Sequence, residues 1–243
     1  MMESMNTKKS FRRFQLKAMG FTAILIGPVV LFATTVIYHL PFPSSISETA
    51  TIANRTDAIL PFCLGALSLF SLTYAIAHAY ERIDKILMTG MFSGFTAVAL
   101  QMCKSPYIES EQVGVLGLSP DTSNILHCSG AVIGFGCMIL WIMLCFTKSD
   151  KTRAAQTKEK RLRDTCYFWL GTIMVLSLCM FIYNSIGWLG NEFPVVFVTE
   201  CLMLTFGGIA CLIKGGLFFT DKSEGKFVAD ERSRNKKLED ILS

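Results

Sequence analysis

The chain has 243 residues, of which 51% are hydrophobic and only 17% charged. A soluble domain of this size has roughly a quarter of its residues charged, so the composition is that of a membrane protein. The net charge of +4 is carried in clusters between apolar runs and reads as a topology signal before nucleic-acid binding. Nine cysteines might suggest a disulfide framework, but Cys63, Cys128, Cys137, Cys145, Cys179, Cys201 and Cys211 fall within apolar runs, and no CxxC pair occurs. Most are therefore expected to be small buried apolar residues. Cys103 and Cys128 lie near one predicted membrane face, where pairing would need an oxidising compartment.

Residues 1–18 form a basic tail, with Lys8, Lys9, Arg12, Arg13 and Lys17 against one acid, Glu3. The apolar run 19–40 follows. It is too long for a secretory h-region and has no small-residue cleavage site, so it is expected to be retained as a first helix, bent at Pro28. Five further runs lie at about 59–80, 86–103, 125–147, 166–189 and 195–220, making an all-α bundle of six spans in a domain covering 19–220. Asp57 suits an N-cap for the second span with Pro61 in its first turn, Asn124 a cap for the fourth, and Pro194 the first turn of the sixth. The short 81–85 connection turns a helical hairpin. Residues 221–243 form a charged tail.

Lysine and arginine set the orientation. The N-terminal tail, the 81–85 turn, the 148–165 loop and the C-terminal tail together hold 20 of the 23 basic residues. Only Arg55 and Lys104 fall on the opposite face, and Lys214 lies inside the last span. The positive-inside rule places both termini in the cytoplasm. The 148–165 loop, with seven basic residues, is expected to lie against anionic headgroups.

Polar residues within the spans sort by depth. Most fall toward the outer face: His39, Gln101, His127, Asn184 with Ser185, and Glu200. His78 is the exception, at the cytoplasmic end of the second span. An acid in a membrane helix faces a partner, a cavity or the headgroups, so Glu200 and His127 are the candidates for a shared polar site, holding a headgroup or exchanging a proton. The alternative is ordinary interfacial depth, wet enough to tolerate them. Lys214 is expected to snorkel toward the cytoplasm. Gly90 with Gly94, and Gly130 with Gly134, form GxxxG faces, and Gly207, Cys211 and Gly215 a small stripe; these suit packing within the chain ahead of homo-oligomerisation. No nucleotide loop, HExxH pair, EF-hand or GxSxG elbow occurs, so neither cofactor nor metal is expected.

Three short segments, in order, carry a resemblance. Residues Leu40-Pro41-Phe42-Pro43-Ser44-Ser45-Ile46-Ser47-Glu48-Thr49, before Phe62-Cys63-Leu64-Gly65, resemble the proline and "ISDT" loop of the DRAM/FRAG/Sfk group. Leu126-His127-Cys128-Ser129-Gly130-Ala131 with Phe135 is similar to that group's His-x-x-Gly-Ala helix opening, and Thr199-Glu200 to the acid opening its sixth helix. The group includes damage-regulated autophagy modulators and the post-GPI-attachment protein of Golgi lipid remodelling. The resemblance implies six helices and membrane-lipid or trafficking roles, and marks Ser47, Glu48, His127 and Glu200.

The sequence thus leads to a multipass protein, in the cell membrane in preference to an endomembrane, with an outer-leaflet ligand site of Ser47, Glu48, Gln101, His127, Asn184 and Glu200. That site is expected to organise or sense lipid or a partner without catalysis. A lipid-modifying hydrolase or transferase using Glu200 and His127 is the first alternative. A channel or transporter is the second, and would need a polar path across the whole bilayer.

Overall fold

The computed structural model describes residues 2–37, 39, 42–49, 59–78, 81–104, 108, 110–149, 156–185 and 194–219. Within them are six long α-helices: α1 Met2–Phe32, α2 Ile59–Ala77, α3 Arg82–Leu100, α4 Pro120–Leu140, α5 Lys158–Ser185 and α6 Val195–Lys214. Each is long and apolar enough to cross a membrane. Consecutive helices pack on one another and α6 closes onto α1, an up-and-down bundle. Phe62 and Ile76, 78% and 77% exposed, lie with Leu69 on the outward side of α2, and Trp169 and Leu176 are exposed on α5. An apolar face of this extent suits lipid tails and not water.

Several helix ends differ from the expected ones. α1 reaches back to Met2, so the basic tail continues the first helix, its charged residues having adequate helix propensity once the apolar part nucleates. α3 begins at Arg82, so most of the expected 81–85 turn is its first turn. α4 begins at Pro120, capped by the Ser119 side chain, which accepts from the Thr122 amide. Asn124, expected as that cap, is instead inside the helix, where its Oδ1 accepts the Lys104 amide at 2.8 Å. Pro61 stands in the first turn of α2 as expected, where its missing N–H costs nothing; Asp57 lies outside the described residues, as does the tail 221–243. Pro28 lies inside α1, which widens to a π-helical turn at Ala33–Ile37. There Thr34 and Thr35 donate to the Val30 and Leu31 carbonyls, one of the local devices that accommodates a proline-interrupted ladder.

Glycines bring backbones together at two interfaces. A Cβ on Gly94 would strike the backbone of Gly130 and Gly134, so the two GxxxG faces pack α3 on α4 within the chain. The close approach of α6 to α1 uses Gly208 against Gly20, a pair the stripe at Gly207, Cys211 and Gly215 did not single out. Trp141, Phe146 and Tyr167 fill the core toward the end that holds the start of α1, joined by edge-on contacts. His78, buried beside Phe11 and Tyr74, lies at the same end. All nine cysteines are free thiols, including Cys103 and Cys128.

Candidate functional site

The opposite end of the bundle gathers α3's last turn, α4's first turns, α6's first turn and the loop 42–49. The loop is held by its own polar groups. Glu48 accepts the Ser44 amide at 2.7 Å, while its own amide donates to Ser45 Oγ at 2.9 Å, and Thr49 Oγ1 donates to the Ile46 carbonyl at 2.6 Å. Helix α6 then ties the loop down twice. The Phe197 amide, one of the first-turn donors that a helix cannot satisfy itself, donates to the Ser44 carbonyl at 3.0 Å. One turn on, Glu200 Oε2 accepts the Ile46 amide at 2.6 Å. The Phe42 ring also meets Phe197 edge-on. The carboxylate of Glu200 is therefore buried against a folded loop.

Ser47 is the junction. Its Oγ lies 3.4 Å from Glu200 Oε1 and 2.9 Å from His127 Nε2, and on the far side of the imidazole Nδ1 lies 2.7 Å from the Gln101 carbonyl oxygen. A carbonyl oxygen only accepts, so Nδ1 carries a proton. With a neutral ring, Nε2 accepts the Ser47 hydroxyl proton, and the 3.4 Å contact to Glu200 is weak. With a protonated ring, Nε2 donates to Ser47, which can hand its own proton to Glu200. Glu200 and His127 thus do not touch; they communicate through one serine.

Gln101, the C-cap of α3, extends the site. Ser123 Oγ lies 2.9 Å from the Met102 carbonyl and 3.3 Å from Gln101 Oε1, whereas Gln101 Nε2 is buried with no partner among the described residues. The hairpin joined by Val113 and Leu118 packs on Gln101, with Gly114 at φ 70° and so close that a Cβ would lie 2.5 Å from Oε1. Only glycine meets both demands there. Between this hairpin, α2 and α3 lies a cavity of about 360 Å³, lined by apolar side chains such as Leu60, Val98 and Val115, with Ser47, Gln101 and His127 as its polar side chains. A narrower crevice runs past Ser47 to Glu200 between Leu64, Phe95 and Phe135.

The expected site residues therefore divide. Ser47, Gln101, His127 and Glu200 form one continuous hydrogen-bonded chain, and Glu48 builds the loop that covers it. Asn184, half-buried in the last turn of α5, takes no part in that chain. His39 is exposed beyond the end of α1 at φ 53°. Cys103 went unremarked as a site neighbour. Burial pushes its thiol up, with the Glu200 and Glu48 carboxylates acting in the same direction, so it is a neutral thiol and a poor nucleophile. Ser123, which ties α4 to the end of α3, gave no sequence signal beyond being one more serine.

Compared with protein-family models, curated proteins and solved structures, the chain matches none.

Proposed function

We propose that this chain is a multipass protein of the cell membrane that receives a membrane lipid at the end holding the loop 42–49, and so organises or senses lipid without transforming it. One observation carries the reading. The cavity of about 360 Å³ is apolar along its walls, with Ser47, Gln101 and His127 as its polar side chains, and the Gln101 Nε2 amide is buried without a partner among the described residues. A pocket of that kind suits an apolar chain with one hydrogen-bonding polar group. The Gln101 donors fit an acceptor such as an ester carbonyl, since a buried unmade hydrogen bond is otherwise costly. The 42–49 loop, His127 and Glu200 are also the segments that resemble the DRAM/FRAG/Sfk group, and relation to that group is part of the proposal.

A second reading is favoured by the 2.9 Å between His127 Nε2 and Ser47 Oγ. With Nδ1 held by a carbonyl, the imidazole is oriented to take the serine proton, the arrangement of an activated nucleophile. In this reading Glu200 acts through Ser47 and the reaction is acyl transfer from a lipid ester.

One experiment separates the two. Purified protein in nanodiscs is exposed to phosphatidylcholine carrying an alkyne and a diazirine on one acyl chain, then irradiated. Crosslinks are expected at Val98, Met102 and Val115, reduced several-fold in Gln101→Leu, with the captured lipid intact. Labelling confined to outward positions such as Phe62 and Ile76 would defeat lipid binding in the cavity. An acyl group recovered on Ser47 without irradiation would establish the second reading.

The proposed orientation puts both termini in the cytoplasm, on the strength of the basic-residue bias and the even helix number. Engineered cysteines at Ser45 and Ser110, in a background lacking native thiols, are expected to react with an impermeant maleimide in intact cells. One at Thr157 is not, and its labelling would reverse the orientation.

A further inference from the structure

The hairpin joined by Val113 and Leu118 has an unusual tip. Its two ends exchange backbone hydrogen bonds at 2.8 and 3.1 Å, and the Gly117 amide closes the turn on the Gly114 carbonyl at 3.2 Å. The central residues of that turn are Val115 and Leu116. Turn centres favour glycine, proline, asparagine, aspartate and serine, whereas β-branched valine belongs in strands. Both side chains are nevertheless exposed, at 72% and 63%, and Leu100 beneath them is 42% exposed. The strand leading in is polar, with Ser110, Glu111 and Gln112 exposed. A contiguous apolar patch at the end of a polar strand points to surroundings other than water.

The tip is also pinned at a definable depth. At the opposite end of the bundle, Lys214 is no depth marker, because its Nζ donates to the Phe146 carbonyl at 2.9 Å and turns into the protein instead of snorkelling as expected. Residues 150–155 of the loop expected against headgroups lie outside the described residues. Helix α3 gives the depth instead. Its 19 residues reach about 28 Å, and the part beyond its last charge, 86–100, about 22 Å, at 1.5 Å per residue. The hydrocarbon core is about 30 Å thick, and tilt only shortens the reach of a helix across it. With Arg82 and Lys85 at one surface, Leu100 therefore falls short of the other. The Val115 amide donates to the Leu100 carbonyl at 2.9 Å, taking one of the last-turn acceptors that α3 cannot satisfy itself. The tip thus hangs at the depth of the acyl layer. Backbone there must be paired within the protein, and the amides of Val113, Val115, Gly117 and Leu118 all donate to backbone carbonyls.

The same tip borders the cavity of about 360 Å³. Val115 lines it together with Leu100 and with Pro61 in the first turn of α2. Val115 and Leu100 are the exposed members of that lining, so this part of the rim faces outward at acyl depth.

We infer that the tip of Val115 and Leu116 is immersed in the acyl layer and forms the lip of a lateral portal, through which a lipid chain passes from the bilayer into the cavity. Immersion stands on the hairpin alone, while the portal rests on the lipid-binding reading above.

The test has one arm for each. In proteoliposomes, a nitroxide is attached at Leu116→Cys and, separately, at Ser110→Cys, both in a background lacking native thiols. Power saturation then compares collisions with oxygen, which concentrates in the acyl layer, and with a water-soluble nickel chelate. The label at 116 is expected to favour oxygen and the label at 110 the chelate. A label at 116 that favours the chelate, or that meets neither because protein covers it, would overturn immersion. For the portal, the diazirine phosphatidylcholine is delivered from cyclodextrin and irradiated after a fixed short interval. Leu116→Asp should lower capture at Val98 several-fold, because a carboxylate is costly at acyl depth, whereas Leu116→Phe should capture as the parent does. Leu116 is exposed and does not line the cavity, so both variants should melt with the parent in detergent. Parent-level capture by Leu116→Asp would overturn the portal and leave lipid binding intact. No capture at Val98 in the parent would defeat the lipid-binding reading and the portal with it, while the nitroxide still decides immersion.

Discussion

Replacing Glu200 by leucine is expected to free the loop 42–49 from the bundle, whereas Glu200→Gln should leave it nearly in place. The Ile46 amide donates to Glu200 at 2.6 Å in a buried setting, and leucine offers it no acceptor. A buried donor left without a partner costs roughly 1–3 kcal/mol, and the loop has few other ties to α6, chiefly Phe197 to Ser44 and the Phe42 ring contact. Glutamine keeps a carbonyl for Ile46 and can turn its amide toward Ser47. Hydrogen exchange by mass spectrometry, on a peptide covering 44–49, reads the difference directly. The leucine variant should exchange about five- to 150-fold faster, the factor that 1–3 kcal/mol implies when exchange follows local opening. The glutamine variant should stay within a few-fold of the parent. If both exchange at the parent rate, Glu200 does not anchor the loop. If lipid capture is lost in Glu200→Gln while exchange is unchanged, the charge itself serves the ligand, and the anchoring role is separable from it.

What was legible in the sequence follows from which forces are local. Six apolar runs declare six helices because each must bury or lipidate a long stretch on its own account, and Glu200 and His127 stand out as polar residues in such runs. Helix starts were less legible. The run beginning at Ile125 hid the Ser119-Pro120-Asp121 start of α4, where the cap lies in a polar stretch that hydrophobicity does not register. Depth along a helix could be read from residue count, but rotation about its axis could not. Gln101 and Asn184 occupy similar depths by that count, yet Gln101 points into the site and Asn184 takes no part in it. The bridging position of Ser47 depends on contacts with residues 80 and 153 positions away, and no spacing rule reaches so far; only the resemblance marked it. Arg13, Arg163 and Lys214 line one cavity at the opposite end of the bundle, a convergence invisible for the same reason, since positive-inside counting reads them as three separate topological charges.

Two glycine-to-alanine changes should have opposite signs, and the larger one is expected to disable the site from a distance. Gly136, in α4, has nothing within 4 Å of an added Cβ, so Gly136→Ala exchanges a flexible residue for the best helix former and should stabilise by roughly 0.5–1 kcal/mol. At Gly94 the same methyl would meet the backbone of α4, 2.6 Å from the Gly130 carbonyl oxygen and 2.7 Å from Gly134 Cα. Backbone atoms have no rotamer to retreat into, so α3 and α4 must separate, with an overpacking cost of about 1–3 kcal/mol or more. The bond from His127 to the Gln101 carbonyl crosses that same interface, nearly two turns of α3 further along. Separating the helices therefore lengthens the contact that fixes the imidazole and leaves Ser47 with an unoriented partner. Thermal unfolding in detergent should show Gly94→Ala melting below the parent and Gly136→Ala at or above it. Photocrosslinking at Val98 and Met102 should fall only in the former. Equal melting of the two variants would mean that α3 and α4 do not meet backbone to backbone, and the link from that contact to the site would fail with it.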